Sequence, residues 1–468
     1  MDQHVDSHVA SFAEYIAAIG GAMGHLDRVG PMRDYCTGLL MPGERKSVEP
    51  MAAVVSPARV SAQHQSLLHL VGQAPWSDGA VLAKVREQVL PALERSGPVE
   101  AWIVDDTGFA KKGVHSVGVA RQYCGRLGKT DNCQIAVTLS VANHCASLPI
   151  AFQLYLPEVW ADDAARRAKA HVPQEVTFRT KPQIALEQIA AAQVAGVAPG
   201  IVLADAGYGY DGAFRAGLTA MGLAYAVGVQ SVLSVWRPGM EPLPPRLLDG
   251  QRRKPSRLRR EAGHMPVSVP DLAMELPPEA WRKVEWREGS NDPLSSRFAA
   301  LRVRPAAGDF RLSVPHPVEW LLIEWPEGEK EPAKYFLSTL PEEVSIEVLV
   351  DTAKMRWRIE RDYEELKSEL GLAHFEGRSW RGFHHHATLC IAAYGFLIRQ
   401  RAAFSPSATG NSGQPRLSRY RRPVKPAGPA RAPRQELNSD SQKNSHSGPR
   451  KNPDPLPVLP DNAGETTP

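Results

Sequence analysis

The sequence predicts an α/β fold: a mixed sheet flanked by helices, preceded by a helical N-terminal module and interrupted by a β-rich insertion. Three observations carry that expectation. Two short apolar runs, AWIVDD (101–106) and GIVLADAGYG (200–209), read as buried strands that end in acids. A helical stretch over 181–195, with Ile184, Leu186 and Ile189, lies between them. From 226 to 340 the texture shifts to short runs rich in Trp, Arg, Val and Pro.

Residues 1–97 read as the helical module. Apolar spacing at Phe12, Tyr15, Ile16 and Ile19 predicts a helix over 9–28, and similar periodicity predicts helices over 62–72 and 80–95. A polar, basic stretch, RKSVEP, falls among them. The first part of the core, 98–225, opens with the strand 101–106. QIAVTLSVAN (134–143) and PIAFQLYLP (149–157) follow as further strands of an antiparallel meander. The insertion, 226–340, holds KVEWRE, FAALRVRP and EWLLIEWP, the basic loop RRKPSRLRR (252–260) and a last strand YFLSTL. The core resumes over 341–401, with helices expected at 345–370 and 384–401. From 402 to 468 the chain is dense in Pro, Ser, Gly and Asn. Between 401 and 451 it carries 11 Lys/Arg against two acids, so it reads as a disordered basic tail.

Composition narrows the function classes. The chain has 468 residues, 43% hydrophobic and 23% charged, with a net charge of +4. That excludes collagen-like, coiled-coil and wholly disordered chains, and it permits a nucleic-acid partner without requiring one. Five cysteines, an odd number with no CxxC pair, point away from a disulfide scaffold or a zinc site. The N-terminus has no basic n-region or apolar core of a signal peptide. No apolar run reaches the ~18 residues of a membrane span. The expected location is the cytoplasm, in association with the nucleoid.

Three acids are placed to carry chemistry. Asp105 and Asp205 end buried strands, and Glu360 lies on the helix MRWRIERDYEELK. Carboxylates converging from rigid elements repel one another and favour a cation between them; oxygen-only ligands select Mg²⁺ or Mn²⁺. Two such ions activate an attacking water and stabilise the leaving oxygen of a phosphodiester. Each acid also has an ordinary reading: an Asp after a strand caps a helix or forms a turn, and a Glu between arginines forms an ion pair.

The joint pattern is more specific. Arg356-x3-Glu360-x6-Lys367 resembles the Tyr-x2-Arg-x3-Glu-x6-Lys signature of bacterial insertion-sequence DDE transposases of the cut-and-paste type. VDDTGFAKKG, VLADAGYG and FEGRSWRGFHHH are similar to the matching blocks of the same enzymes, in the same order. The nearest resemblance is to the insertion-sequence group numbered seven hundred and one, within the superfamily of group four. It implies an RNase H-like core with a β-rich insertion between the second Asp and the Glu, for which 155 residues leave room. It further implies that Asp105, Asp205 and Glu360 are the catalytic triad holding two Mg²⁺ or Mn²⁺ ions. The DNA partners implied are the element's terminal inverted repeats and a target, with a homodimer at the synapse.

Two features depart from the pattern. The signature Tyr falls at Ala353, and the first acid is doubled as Asp105–Asp106. On a strand their side chains point to opposite faces, so only one can face the metals; Asp105 is preferred and Asp106 stays open. Arg356 and Lys367 share a helix face with Glu360 and are expected to meet DNA phosphates, the alternative being ion pairs with Glu360 and Glu364. Lys111 and Lys112 are candidates for the DNA backbone near the site, as are Arg252, Arg253 and Lys254 of the basic loop. The tryptophans of the insertion read first as core and second as base-stacking platforms. His384, His385 and His386 cannot bind one ion together because consecutive helical residues diverge by about 100°; they read as a polar helix start touching DNA. GYGYDG lacks both GxGxxG and a Walker lysine, which excludes nucleotide binding. Two further readings compete: a derivative that binds DNA but has lost catalysis, and a glycosidase with paired carboxylates. The second leaves the Arg and Lys around Glu360 without a role.

Overall fold

The computed structural model describes residues 2–246, 256–288 and 293–403. The N-terminal helices are α1 (Asp2–Gly20), α2 (Val29–Leu40), α3 (Val48–Val55), α4 (Val60–Gly72) and α5 (Asp78–Arg95). They bury Tyr15, Ile19, Met32, Tyr35, Leu67 and Val89. The expected helix over 9–28 is corrected: α1 ends at Gly20, and the chain turns at Gly24 with φ +70°. α2 and α3 were not expected. Gly38 lets them approach, since a Cβ there would lie 2.8 Å from Met51.

The core begins with β1 (Ala101–Ala110), β2 (Ala120–Cys124), β3 (Lys129–Ala142) and β4 (Ser147–Leu154). Short helices α6 (Glu158–Ala161) and α7 (Ala164–Lys169) lead to α8 (Lys181–Val194), which starts with a full capping box between Thr180 and Gln183. Then come β5 (Ile201–Ala204), α9 (Ala206–Gly209), α10 (Gly212–Ala220) and β6 (Tyr225–Val229). β1 pairs antiparallel with β3 and parallel with β5, and β5 pairs parallel with β6. β2 and β4 both pair with β3 on its far edge. This is the RNase H-like mixed sheet that the resemblance implied.

The segment after β6 extends the same sheet. It comprises β7 (Ser234–Trp236), β8 (Val267–Ser268), α11 (Val269–Met274), β9 (Arg282–Glu288), β10 (Pro293–Pro305), β11 (Glu319–Trp325) and β12 (Lys334–Ser338). β12 pairs with β6, and the order continues through β11 and β10 to β7 and β8. The tryptophans here are structural. Trp236 is fully buried and donates to Asp309, Trp286 packs edge-on against Phe298, and Trp281 against Trp325.

The expected helix over 345–370 is corrected to two, α12 (Ile346–Lys354) and α13 (Trp357–Ser368). Their apolar stripes serve different clusters. Leu349, Val350 and Ala353 of α12 pack with Val284, Phe298 and Leu322 of the extension. Ile359 and Tyr363 of α13 pack with Ile103, Leu203 and Ala226 of the core. One straight helix could not present both, so the chain breaks at Met355–Arg356. α14 (Trp380–Ala403) runs through the centre of the main cluster and carries the N-terminal helices against the sheet.

The histidine triplet belongs to that junction. His385 is stacked on Trp76, its Nδ1 3.0 Å from Asp78 Oδ1 and its Nε2 3.1 Å from the Ala74 carbonyl oxygen. His386 Nδ1 lies 2.8 Å from the Tyr35 hydroxyl and Nε2 3.0 Å from the Gly371 carbonyl oxygen. His384 Nε2 accepts from the Leu154 N–H. The expected DNA contact is therefore corrected: all three rings pair within the fold, and His385 and His386 are buried between helices.

Candidate active site

The first acid pair follows from sheet register. Ile103 of β1 is opposite Leu203 of β5, so two residues further Asp105 comes level with Asp205. Asp205 follows the carboxyl end of β5, where open α/β sheets build their sites, and Asp105 lies level with it on the neighbouring parallel strand. β5 stops at Ala204, but β1 runs on to Ala110 because antiparallel β3 continues beside it. Asp105 therefore sits within a strand, against the expectation that it would end one.

The structure also separates the doubled acids. Ala101 and Ile103 face α13, whereas Trp102 and Val104 face the main cluster. By alternation Asp105 shares the α13 face and Asp106 takes the other. Asp106 is ion-paired there with Lys181 at the start of α8, 2.5 Å away. Asp105 Oδ1 accepts from the Asp106 N–H at 2.8 Å, and Oδ2 is 2.9 Å from Arg356 Nη1.

Asp205 caps α9, with Oδ1 accepting from the N–H groups of Gly207 at 2.8 Å and Tyr208 at 3.3 Å. The glycines of its block have a packing reason. A Cβ on Gly209 would lie 2.1 Å from the Gly228 carbonyl, and one on Gly228 would lie 2.9 Å from the Ala206 nitrogen. The turn after Asp205 thus lies directly on β6.

Glu360 sits in the first turn of α13 with 59% of its side chain exposed. Arg356, at the helix start, bridges to it at 2.6 Å while holding Asp105. The guanidinium therefore joins the first and third acids. Burial pushes the Asp105 carboxyl up to about 7; Arg356 opposes that shift, and the neighbouring Asp205 and Asp106 add to it. Among the described residues no three His, Cys, Asp or Glu side chains are drawn together tightly enough to cage a metal ion. The donors nevertheless suit a hard divalent ion. They are all oxygens, and a positive group already lies between Asp105 and Glu360.

The other candidates are placed as follows. Lys367 donates to the Gly108 carbonyl at 3.0 Å and lies over Phe109, which ties α13 to the end of β1. Lys111 donates to the Phe375 carbonyl at 2.8 Å, and burial lowers its pKa; Lys112 is exposed. Arg252, Arg253, Lys254 and the tail from 404 lie outside the described residues. Of the basic segment's described end, Arg260 pairs with buried Asp309 and Arg259 with Glu261.

Sequence reasoning missed Asp362. This residue is 1% exposed and accepts from Ser147 at 2.5 Å, Tyr394 at 2.9 Å and Ser140 at 3.3 Å. It fastens the helix of Glu360 to β3, β4 and α14. Its apolar neighbours on the helix gave no signal, and its three partners lie far away in sequence. No helix among the described residues is long and apolar enough to cross a membrane.

Comparisons with known proteins identify the family. A family model described as DDE superfamily endonuclease matches residues 20–293, a stretch that includes Asp105 and Asp205 and stops before Glu360. A "Probable transposase for insertion sequence element IS701" from Microchaete diplosiphon is 32% identical over 189 residues. That match covers 40% of this chain and 45% of the relative, so it spans less than half of the relative's length. A solved piggyBac transposase synaptic complex with hairpin DNA overlaps 86% of this chain and 77% of its own at a TM-score of 0.42 and 10% identity. Endonucleases of the DDE superfamily generally use divalent metal ions. With more than half of its length matched by the family model, the chain belongs to the DDE superfamily endonucleases.

Proposed function

We propose that this chain is a DNA transposase that cuts the ends of an insertion sequence and joins them to a target. The reaction is metal-dependent phosphodiester hydrolysis followed by transesterification. The observation that carries the reading is the level placement of Asp105 and Asp205 along adjacent parallel strands, with Arg356 linking Asp105 to Glu360. The similarity to a relative named as a transposase supports it.

In this reading Asp105, Asp205 and Glu360 would hold two Mg²⁺ or Mn²⁺ ions, which would supply Lewis-acid activation of the attacking and leaving oxygens. Asp205 keeps Oδ1 on the α9 N–H groups, so its orientation is fixed before any ligand arrives. Arg356 turns from the acids to a DNA phosphate, where a planar guanidinium gives bidentate contacts. Lys367 holds the end of β1 and presents its charge beside the same path. Lys112 would meet the DNA backbone beside the site, with Lys111 fixing its loop through the Phe375 carbonyl, and Arg252, Arg253 and Lys254 of the basic segment are further candidates for backbone phosphates.

The ends of the element would be bound by the N-terminal helices. α3 and α4 are joined by four residues, Ser56 to Arg59, and residues 50–77 hold no Asp or Glu. The synaptic complex would be a homodimer on terminal inverted repeats and target DNA, in the cytoplasm and associated with the nucleoid.

The test is incubation of the full chain with a DNA fragment holding its gene and flanks, in Mg²⁺, Mn²⁺ or EDTA. Metal-dependent breaks at two defined flanking sites are expected. Salt-sensitive binding without breaks in either metal would instead identify a derivative that binds DNA and has lost catalysis.

A further inference from the structure

Three buried hydroxyls border the acid site: Tyr363 and Thr138, which interact with each other but without good hydrogen-bond geometry, and Tyr208. Thr138 is the direct cross-strand neighbour of Asp105 on β3 and is fully buried. Tyr363 lies on the face of α13 that packs on Ile103 and Leu203, three residues after Glu360 and 8% exposed. Tyr208 is 2% exposed and follows Asp205 by three residues. Burial raises the Tyr363 hydroxyl's pKa well above its ordinary value, and Asp105 is the largest electrostatic contributor after it.

A buried hydroxyl whose neighbour is a second, poorly aligned hydroxyl recovers little of the hydrogen bond it made to water, which is why such groups in folded proteins are few. Phenylalanine would fill the place of Tyr363 without that loss. Asp105 is the acceptor nearest to needing such a donor. Its Oδ1 is taken by the Asp106 N–H, and its Oδ2 depends on Arg356. If Arg356 turns to a phosphate, Oδ2 loses its donor within a buried site.

We infer that Tyr363, with Thr138 beside it, is a positioning residue for Asp105: its hydroxyl donates to the Asp105 carboxylate once Arg356 has moved to DNA. This rests on the transposase reading above. The signature's tyrosine position and Tyr363 then have separate fates. Ala353 packs inside the cluster of the extension, and Tyr363 supplies a phenol hydroxyl to the acid site.

The experiment compares wild type, Tyr363→Phe and Thr138→Val for thermal midpoint, affinity for an element-end fragment, and single-turnover cleavage in Mg²⁺. Tyr363→Phe is expected to keep the midpoint and the DNA affinity and to cleave about 10- to 100-fold more slowly, the loss of one hydrogen bond to a charged acceptor. Thr138→Val should lose rate in the same direction, by less. Cleavage by Tyr363→Phe at the wild-type rate overturns the inference. So does a parallel fall of midpoint, affinity and rate in both variants, which would mark the pair as packing alone. A wild-type chain that binds the ends and makes no breaks overturns the transposase reading, and this inference with it.

Discussion

Asp362→Asn is the perturbation that most sharply tests how the helix of Glu360 is held. Asp362 is buried against three hydroxyl donors. Two effects oppose each other there. Burial disfavours the carboxylate, and the hydroxyls favour it; burial wins, pushing the group from 3.8 up to about 6. The native state therefore binds a proton more tightly than the unfolded chain does. The sign follows: between pH 4 and 6 the folded state loses stability as pH rises, and above 6 the loss is complete. A shift of about two units corresponds to roughly 3 kcal/mol. Asparagine cannot ionise, so it escapes this loss while keeping an acceptor for the serines. Urea unfolding of wild type and Asp362→Asn at pH 4.5, 5.5, 6.5 and 7.5 gives the stability difference directly. The variant should gain on wild type by roughly 2–3 kcal/mol across that range. A flat difference, or wild type gaining as pH rises, would show that the hydroxyls outweigh burial and would refute the reasoning.

Gly209→Ala places a Cβ 2.1 Å from the Gly228 carbonyl, so a loss of about 1–3 kcal/mol is expected by thermal melting, together with reduced cleavage because Asp205 must shift. His386 has the opposite pH sign to Asp362. Burial lowers it to about 4, so stability present near neutrality is lost as pH falls from 6.5 towards 4, by roughly 3 kcal/mol, a loss that a His386→Gln comparison should remove. Arg356→Lys keeps the charge and loses the two-pronged bridge; end cleavage should fall at least about tenfold while the fold's melting midpoint moves little. Removal of 402–468 deletes ten Lys/Arg against five acids, so non-specific DNA binding should weaken and lose salt sensitivity. Cleavage at saturating DNA should persist.

Much of the site could be read in the sequence because its parts are local. AWIVDD and GIVLAD announce buried strands carrying acids, GIVLAD with its acid at the strand's end, and Arg356, Glu360 and Lys367 share a helical face by spacing alone. What could not be read depends on partners distant in sequence. That β1 continues past Asp105 is decided by β3, and the choice between Asp105 and Asp106 needed the direction of α13 and the position of Lys181. The break before Trp357 reflects two clusters that meet only in the folded state. The histidine triplet looked polar and exposed because its partners, Asp78, Tyr35 and Gly371, come from three other segments. The lysines show the same limit. Lys111 and Lys367 carry charge suited to phosphate, yet each is first a donor to a backbone carbonyl that fixes a neighbouring element.

The central claim is that Asp105, on the α13 face and level with Asp205, is the first acid of a metal-dependent DNA-cleaving site. The most direct measurement is the rate of end cleavage in Mg²⁺ by Asp105→Asn and Asp106→Asn proteins, side by side with wild type. The account predicts that Asp105→Asn abolishes breaks, by about a thousandfold or more, while Asp106→Asn, which loses its pair with Lys181, still cuts at the same two sites. Cleavage retained by Asp105→Asn and lost by Asp106→Asn would contradict it.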